Sequence, residues 1–131
     1  MTVQKRAKHM REEYLDGTEI RAGYCRALRV DNMIFISGTG ALDREGKLAS
    51  PSVGGQARFI YKKIEESLAH FGADMSNIVR LLIFLKDVND FDEFNNVHEQ
   101  VFAKFRPASD LVVVANLVKG MSVQIEAQAA I

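Results

Sequence analysis

The 131-residue sequence contains one cysteine, two prolines and no tryptophan. A lone cysteine, Cys25, excludes an internal disulfide and fits a reducing, cytoplasmic setting. There is no charge of either sign to spare. Seventeen basic residues face seventeen acidic ones, without the basic excess of a dedicated nucleic-acid binder. Long hydrophobic runs are also missing: LLIFL (81–85) and LVVVA (111–115) are far too short for a membrane span. The N-terminal stretch MTVQKRAKHMREEY has no apolar region of the kind a secretory signal needs. With its basic cluster Lys5, Arg6, Lys8 and Arg11, it reads as a frayed tail over residues 1–20. No repeat, linker or low-complexity tract divides the remainder, so residues 21–131 read as one domain.

What is present is a 47% hydrophobic content with clear periodicities. YCRALRV (24–30) and MIFISG (33–38) read as strands joined by a tight Asp31-Asn32 turn. Gly38 and Gly40 break the second strand, and ALDREGKLAS (41–50) reads as an exposed loop. Ala57, Ile60, Tyr61, Ile64, Leu68 and Phe71 recur at helical spacing, and Gly72 is a natural helix stop. NIVRLLIFLKD (77–87) is apolar on both faces, as in a doubly covered strand.

Asp90 and Glu93 have capping-box spacing. Phe91, Phe94, Val97, Val101, Phe102 and Phe105 then stripe a second helix that Pro107 ends. SDLVVVANL (109–117) and the alternating SVQIEAQAAI (122–131) close the chain as strands. The order ββαβαββ predicts an α+β two-layer domain, a mixed sheet with both helices on one face. Apolar residues on both sides of two strands imply that a second subunit covers the other face.

Several residues are candidates for chemistry. Glu126 is a carboxylate inside an otherwise uncharged strand, where partial desolvation would raise its pKa and suit it to general acid or base work. A carboxylate on an exposed strand face is the alternative. Ser109 has no evident His-Asp set and reads more readily as a turn residue than as a nucleophile. Cys25 reads as a small core residue. His9, His70 and His98 show no metal-ligand spacing. SGTGA (37–41) is not a dinucleotide fingerprint but could present backbone amides to a ligand. Asn95, at the start of the second helix, could do the same with its side-chain amide.

Taken together, GYCRALRVDNMIFISGTGALD, VRLLIFLKDVNDFDEFNNVHEQVF, RPAS and VQIEAQAAI resemble the RidA/YjgF family of reactive-intermediate deaminases, from about Gly23 to Ile131. The resemblance implies a chorismate-mutase-like fold and a homotrimeric barrel with helices outside and ligand clefts between subunits. It implies hydrolysis of small enamines and imines to ketoacids and ammonia, with no metal or organic cofactor. Carried over by position, it implies a site made of Tyr24, Ser37, Gly38, Asn95 and Glu126, with Glu126 positioning the attacking water.

One position departs from the family's pattern. Deaminating members carry an arginine two residues after the proline, where it holds the substrate carboxylate in a bidentate pair. Here that residue is Ser109. A buried charge-assisted pair contributes roughly 1.5–3 kcal/mol, so its loss should weaken an amino-acid-derived imine by about an order of magnitude or more. Thr39 likewise stands where the family often has glutamine. Arg26 shares strand parity with Tyr24 and is the preferred substitute cation, ahead of Arg106 and Lys119. The sequence therefore predicts an imine deaminase with an atypical substrate. A non-catalytic ligand-binding or stress-protective trimer is the main alternative, and an endoribonuclease or translation inhibitor the weakest.

Overall fold

Alternation along the last strand sets the architecture. Val123, Ile125, Ala127 and Ala129 are buried, while Gln124, Glu126 and Gln128 between them are not. A strand with one apolar face needs a layer on that side. The computed structural model, which describes residues 8–19 and 22–131, supplies it with two helices. The strands are β1 (Arg11–Tyr14), β2 (Ala27–Val30), β3 (Met33–Gly40), β4 (Ile78–Leu85), β5 (Ala108–Val113) and β6 (Val123–Ala130). The helices are α1 (Val53–His70) and α2 (Phe91–Phe102). The sheet order is β1-β2-β3-β6-β4-β5, antiparallel except for the parallel β4–β5 pair that α2 connects.

The core lies between the sheet and the helices. Ile60, Ile64 and Leu68 of α1 are fully buried, together with Ile34, Leu81, Leu85, Val123 and Ile125 of the sheet. Each such side chain contributes roughly 1.5–3 kcal/mol relative to exposure. Helix α1 starts where the Ser52 hydroxyl accepts from the Gly55 amide at 3.0 Å. It ends at Gly72, whose φ of +76° a side-chain-bearing residue would resist.

The predicted elements are present, with differences at their ends. A strand, β1, forms inside the stretch that reads as a tail. Its sequence, REEY, carries no strand signal, and it exists because β2 offers a pairing edge. Lys5 and Arg6 of the basic cluster lie outside the described residues. Helix α2 stops at Phe102, short of Pro107, and Phe105 is exposed rather than part of its buried stripe. The Asp90–Glu93 capping box does not form: Asp90 makes no side-chain cap, and Glu93 accepts instead from the Gly54 amide of α1 at 2.6 Å. In the 41–50 loop, Ala41 and Leu42 are buried and a Leu42–Leu48 bridge ties its ends.

Among the described residues, no layer covers the opposite face of the sheet. Met33, Leu82 and Phe84 are only half-buried there, Phe35 and Val112 are exposed, and Gln124, Glu126 and Gln128 lie among them.

Candidate functional site

The register between β3 and β6 breaks at one place. Ile36 pairs with Ala127 and Thr39 with Ile125, so Ser37 and Gly38 together oppose Glu126. Two residues against one is a β-bulge, a device that bends a strand and re-aims its side chains. The bulge is locked from the segment before β2. Ser37 donates its amide to the Arg26 carbonyl at 3.0 Å and its hydroxyl to the Cys25 carbonyl at 2.7 Å. Arg26 answers with Nη2 on the Gly38 carbonyl at 3.2 Å. Gly38 leaves room for the Gln124 side chain: a Cβ there would lie 2.3 Å from Gln124 Nε2 and would push that amide aside. Ser37 thus spends its donors holding the bulge.

Beside the bulge is a cleft of about 430 Å³. Tyr24, Arg26, Ser37 and Gly38 line one part of it, and Gln124, Met121 and Val118 another. The Arg26 guanidinium lies over the Tyr24 ring, 5.6 Å from its centroid. Arg26 is 3% exposed, and its Nε has no hydrogen-bond partner among the described residues. The cleft therefore unites four of the seven sequence-predicted site residues.

It also contains one that sequence reasoning missed. Lys63 of α1 lines the cleft at 8% exposure. Its Nζ donates to Thr18 Oγ1 at 2.9 Å and stands 3.9 Å from Asp16 Oδ2. Burial pulls the ammonium pKa down; Asp16 opposes this and Arg26 reinforces it. For Asp16, burial acts upward, but hydrogen bonds from Thr18 and the charges of Lys63 and Arg26 hold the carboxyl below its ordinary value. A signal was available. Ile60, Lys63, Ile64 and Ser67 share helical spacing, which puts Lys63 on the buried stripe.

Glu126 is adjacent to this cleft but does not line it. It follows Gln124 by two residues on the same strand face, roughly 7 Å along β6. In the single chain Glu126 is exposed, so the desolvation expected for it requires a covering partner. Asn95 is not brought to Glu126. It lies on α2 in the helix layer, where its Nδ2 donates to Glu99 at 2.9 Å. Ser109 is exposed on the edge strand β5 and pairs with Leu81, whereas Glu126 pairs with Leu82. Asp110, bonded to Arg80 at 2.6 Å, occupies the Glu126 row instead.

The three histidines are engaged separately. His9 bonds Asp31, His70 bonds Glu12 at 3.0 Å, and His98 bonds Tyr61 at 2.7 Å. Among the described residues no group of three His, Cys, Asp or Glu is placed to hold a metal ion. No helix among them is long and apolar enough to cross a membrane.

Comparison with known proteins places the family and the fold. Residues 17–131 match the protein family described as endoribonuclease L-PSP. The human protein named 2-iminobutanoate/2-iminopropanoate deaminase is 37% identical over 107 residues, 81% of this chain and 78% of that one. Protein HMF1 of Saccharomyces cerevisiae is 35% identical over 109 residues, 83% of this chain and 84% of that one. A crystal structure from Mycobacterium tuberculosis, a member of the YjgF/YER057c/UK114 family, superposes with a TM-score of 0.84 at 30% identity, covering 93% of this chain and all of its own.

Proposed function

Because the chain belongs to the endoribonuclease L-PSP family, the RidA/YjgF proteins, we propose that it is a small-molecule hydrolase of the enamine or imine deaminase type, working in the cytoplasm. The observation that carries this reading is the Ser37–Gly38 bulge opposed to Glu126 at the edge of the Tyr24–Arg26 cleft. A bulge held by three hydrogen bonds is an elaborate way to end a strand unless it positions something.

In this reading an imine carbon sits over the bulge. The Glu126 carboxylate takes a proton from water as the water oxygen bonds to that carbon. Glu126 hands that proton to the imine nitrogen, giving a carbinolamine. The carboxylate then takes the carbinolamine hydroxyl proton and delivers it to the nitrogen as the C–N bond breaks, so that ammonia leaves and the oxygen stays behind as a ketone. Tyr24 orients the ligand. The exposed Glu126 needs a neighbour to exclude bulk water. A homotrimer with the open sheet faces turned inward and the helices outward would provide one. Asn95 and Ser109 would join the site only across a subunit boundary.

A second reading has an observation of its own. Ser109 offers no cation, and among the described residues its hydroxyl reaches only the Pro107 carbonyl, at 3.5 Å. A trimer that binds a ligand without turning it over would fit that.

The deciding test is ammonia release from 2-iminobutanoate, 2-iminopropanoate and a carboxylate-free imine, using wild type, Ser109→Arg and Glu126→Gln. The deaminase reading expects release that Glu126→Gln reduces by about a hundredfold or more. Ser109→Arg should favour the two imino acids. Silence of the wild type and Ser109→Arg across all three imines would leave the binding reading in its place.

A further inference from the structure

The cleft buries two cations, Arg26 and Lys63, against one close carboxylate, Asp16. Glu19 is nearby, but its oxygens accept from the Asp16 and Gly17 amides at 3.0 Å. Glu66 is exposed. Burying charge without a matching counter-charge is expensive, and an incoming anion relieves the cost. Donors are also left over. A guanidinium has five N–H groups and an ammonium three. Among the described residues only the Gly38 carbonyl accepts from the Arg26 guanidinium, and its Nε is unpartnered. Lys63 has one close hydrogen bond, to Thr18.

We propose that Arg26 and Lys63 form an anion subsite that holds the carboxylate of a small substrate, with the Thr18 hydroxyl, which accepts from Lys63 and donates to Asp16, orienting the ammonium. The proposal rests on the deaminase reading only for the identity of the reacting end; the subsite itself stands on the cleft. It moves the carboxylate anchor from the start of β5, where Ser109 cannot serve, to the junction of the segment before β2 with α1. It also adds Lys63 as a specificity-determining residue. Gln124 lines the same cleft, and Glu126 is the next residue on its strand face, roughly 7 Å further along β6.

The test uses 2-oxobutanoate as a stable probe and butanone as its uncharged counterpart, with binding to the full chain followed by calorimetry. Wild type should bind 2-oxobutanoate and show no measurable affinity for butanone. Arg26→Gln and Lys63→Met should each weaken 2-oxobutanoate by about tenfold or more. Arg26→Lys should recover part of the loss, and Arg80→Gln, which removes a cation elsewhere on the sheet, should change nothing. Because Arg26 also holds the bulge, Thr18→Val serves as a milder probe that keeps both charges. It should weaken binding a few-fold while the chain remains folded at the assay temperature by circular dichroism. Equal affinity for probe and counterpart, or unchanged affinity in Lys63→Met and Thr18→Val, would overturn the subsite. Glu126→Gln separates the two ideas. It should keep 2-oxobutanoate binding while losing ammonia release. If it keeps both, the deaminase mechanism fails and the subsite survives.

Discussion

Tyr61 Oη and His98 Nδ1 meet at 2.7 Å between the two helices, with Phe102 edge-on to Tyr61 at 5.4 Å between centroids. Burial pushes the Tyr61 phenol upward, so it stays neutral. Burial also lowers the His98 pKa, with Glu99 opposing. A lowered imidazole means that the unfolded chain takes up a proton before the folded one does. Stability should therefore be insensitive to His98 above about pH 6.5 and fall as pH drops from there to the folded value. Urea unfolding of wild type and His98→Gln at pH 7.5 and pH 5 checks this. The wild type should lose more stability over that interval than the variant, and equal losses would remove His98 from the account. The spacing of the histidines excluded a metal site, but the partner of His98 was not legible in it. Tyr61 lies on another helix, and only packing brings the two together. Arg26 was legible for a related reason: a two-residue step puts it with Tyr24. Lys63 was passed over because lysine within an apolar stripe is easily taken for surface.

At the scale of elements, the contact that ties the helices is Glu93 of α2 on the Gly54 amide of α1. The first turn of α1 has no acidic residue of its own, so Glu93 meets the positive end of that helix dipole from outside. Space is tight around it, since a Cβ on Gly54 would stand 3.0 Å from the Glu93 carboxylate. Glu93→Ala is expected to lose roughly 1 kcal/mol, comparable to deleting an N-cap, and Glu93→Gln less. Chemical denaturation with both variants measures it; a neutral Glu93→Ala would mean the contact is incidental. The spacing of Asp90 and Glu93 suggested a local box, and the outcome shows why boundaries are hard to read. A carboxylate in a first turn can cap its own helix or its neighbour's. Here Asp90 carries a pKa raised by burial and then by Asp87 and Glu93. Strand β1 was illegible for the opposite reason: four mostly charged residues become a strand only beside β2.

For the whole molecule, the open sheet face is the informative surface. Leu82 and Phe84 sit half-buried beside Glu126, and the edge strand β5 exposes Val112 and Val113. Exposed apolar edges invite pairing and are usually covered. We expect sedimentation to give a mass that is a multiple of 14.6 kDa. Phe84→Glu should shift it to 14.6 kDa and abolish any ammonia release, since Glu126 would then face bulk water. A wild-type monomer would contradict the covering-subunit argument. The twice-apolar pattern of 78–85 was readable from sequence, and so was the need for a cover. The cleft was not, because it joins residues 18, 26, 38, 63 and 124 across four separate segments.

The sheet order has a consequence for how the protein is made. Strand β6 follows every other element in the chain, yet it lies between β3 and β4 at the centre of the sheet. During synthesis both of those strands must wait, each with an unpaired side, until residues 123–130 have emerged. The hairpin and the β4–α2–β5 unit can form on the ribosome, but neither can be sealed to the other. The nascent chain is thus most prone to stick to its neighbours just before completion. A stall or a premature stop near residue 120 would release two sticky half-sheets rather than a slightly shortened protein.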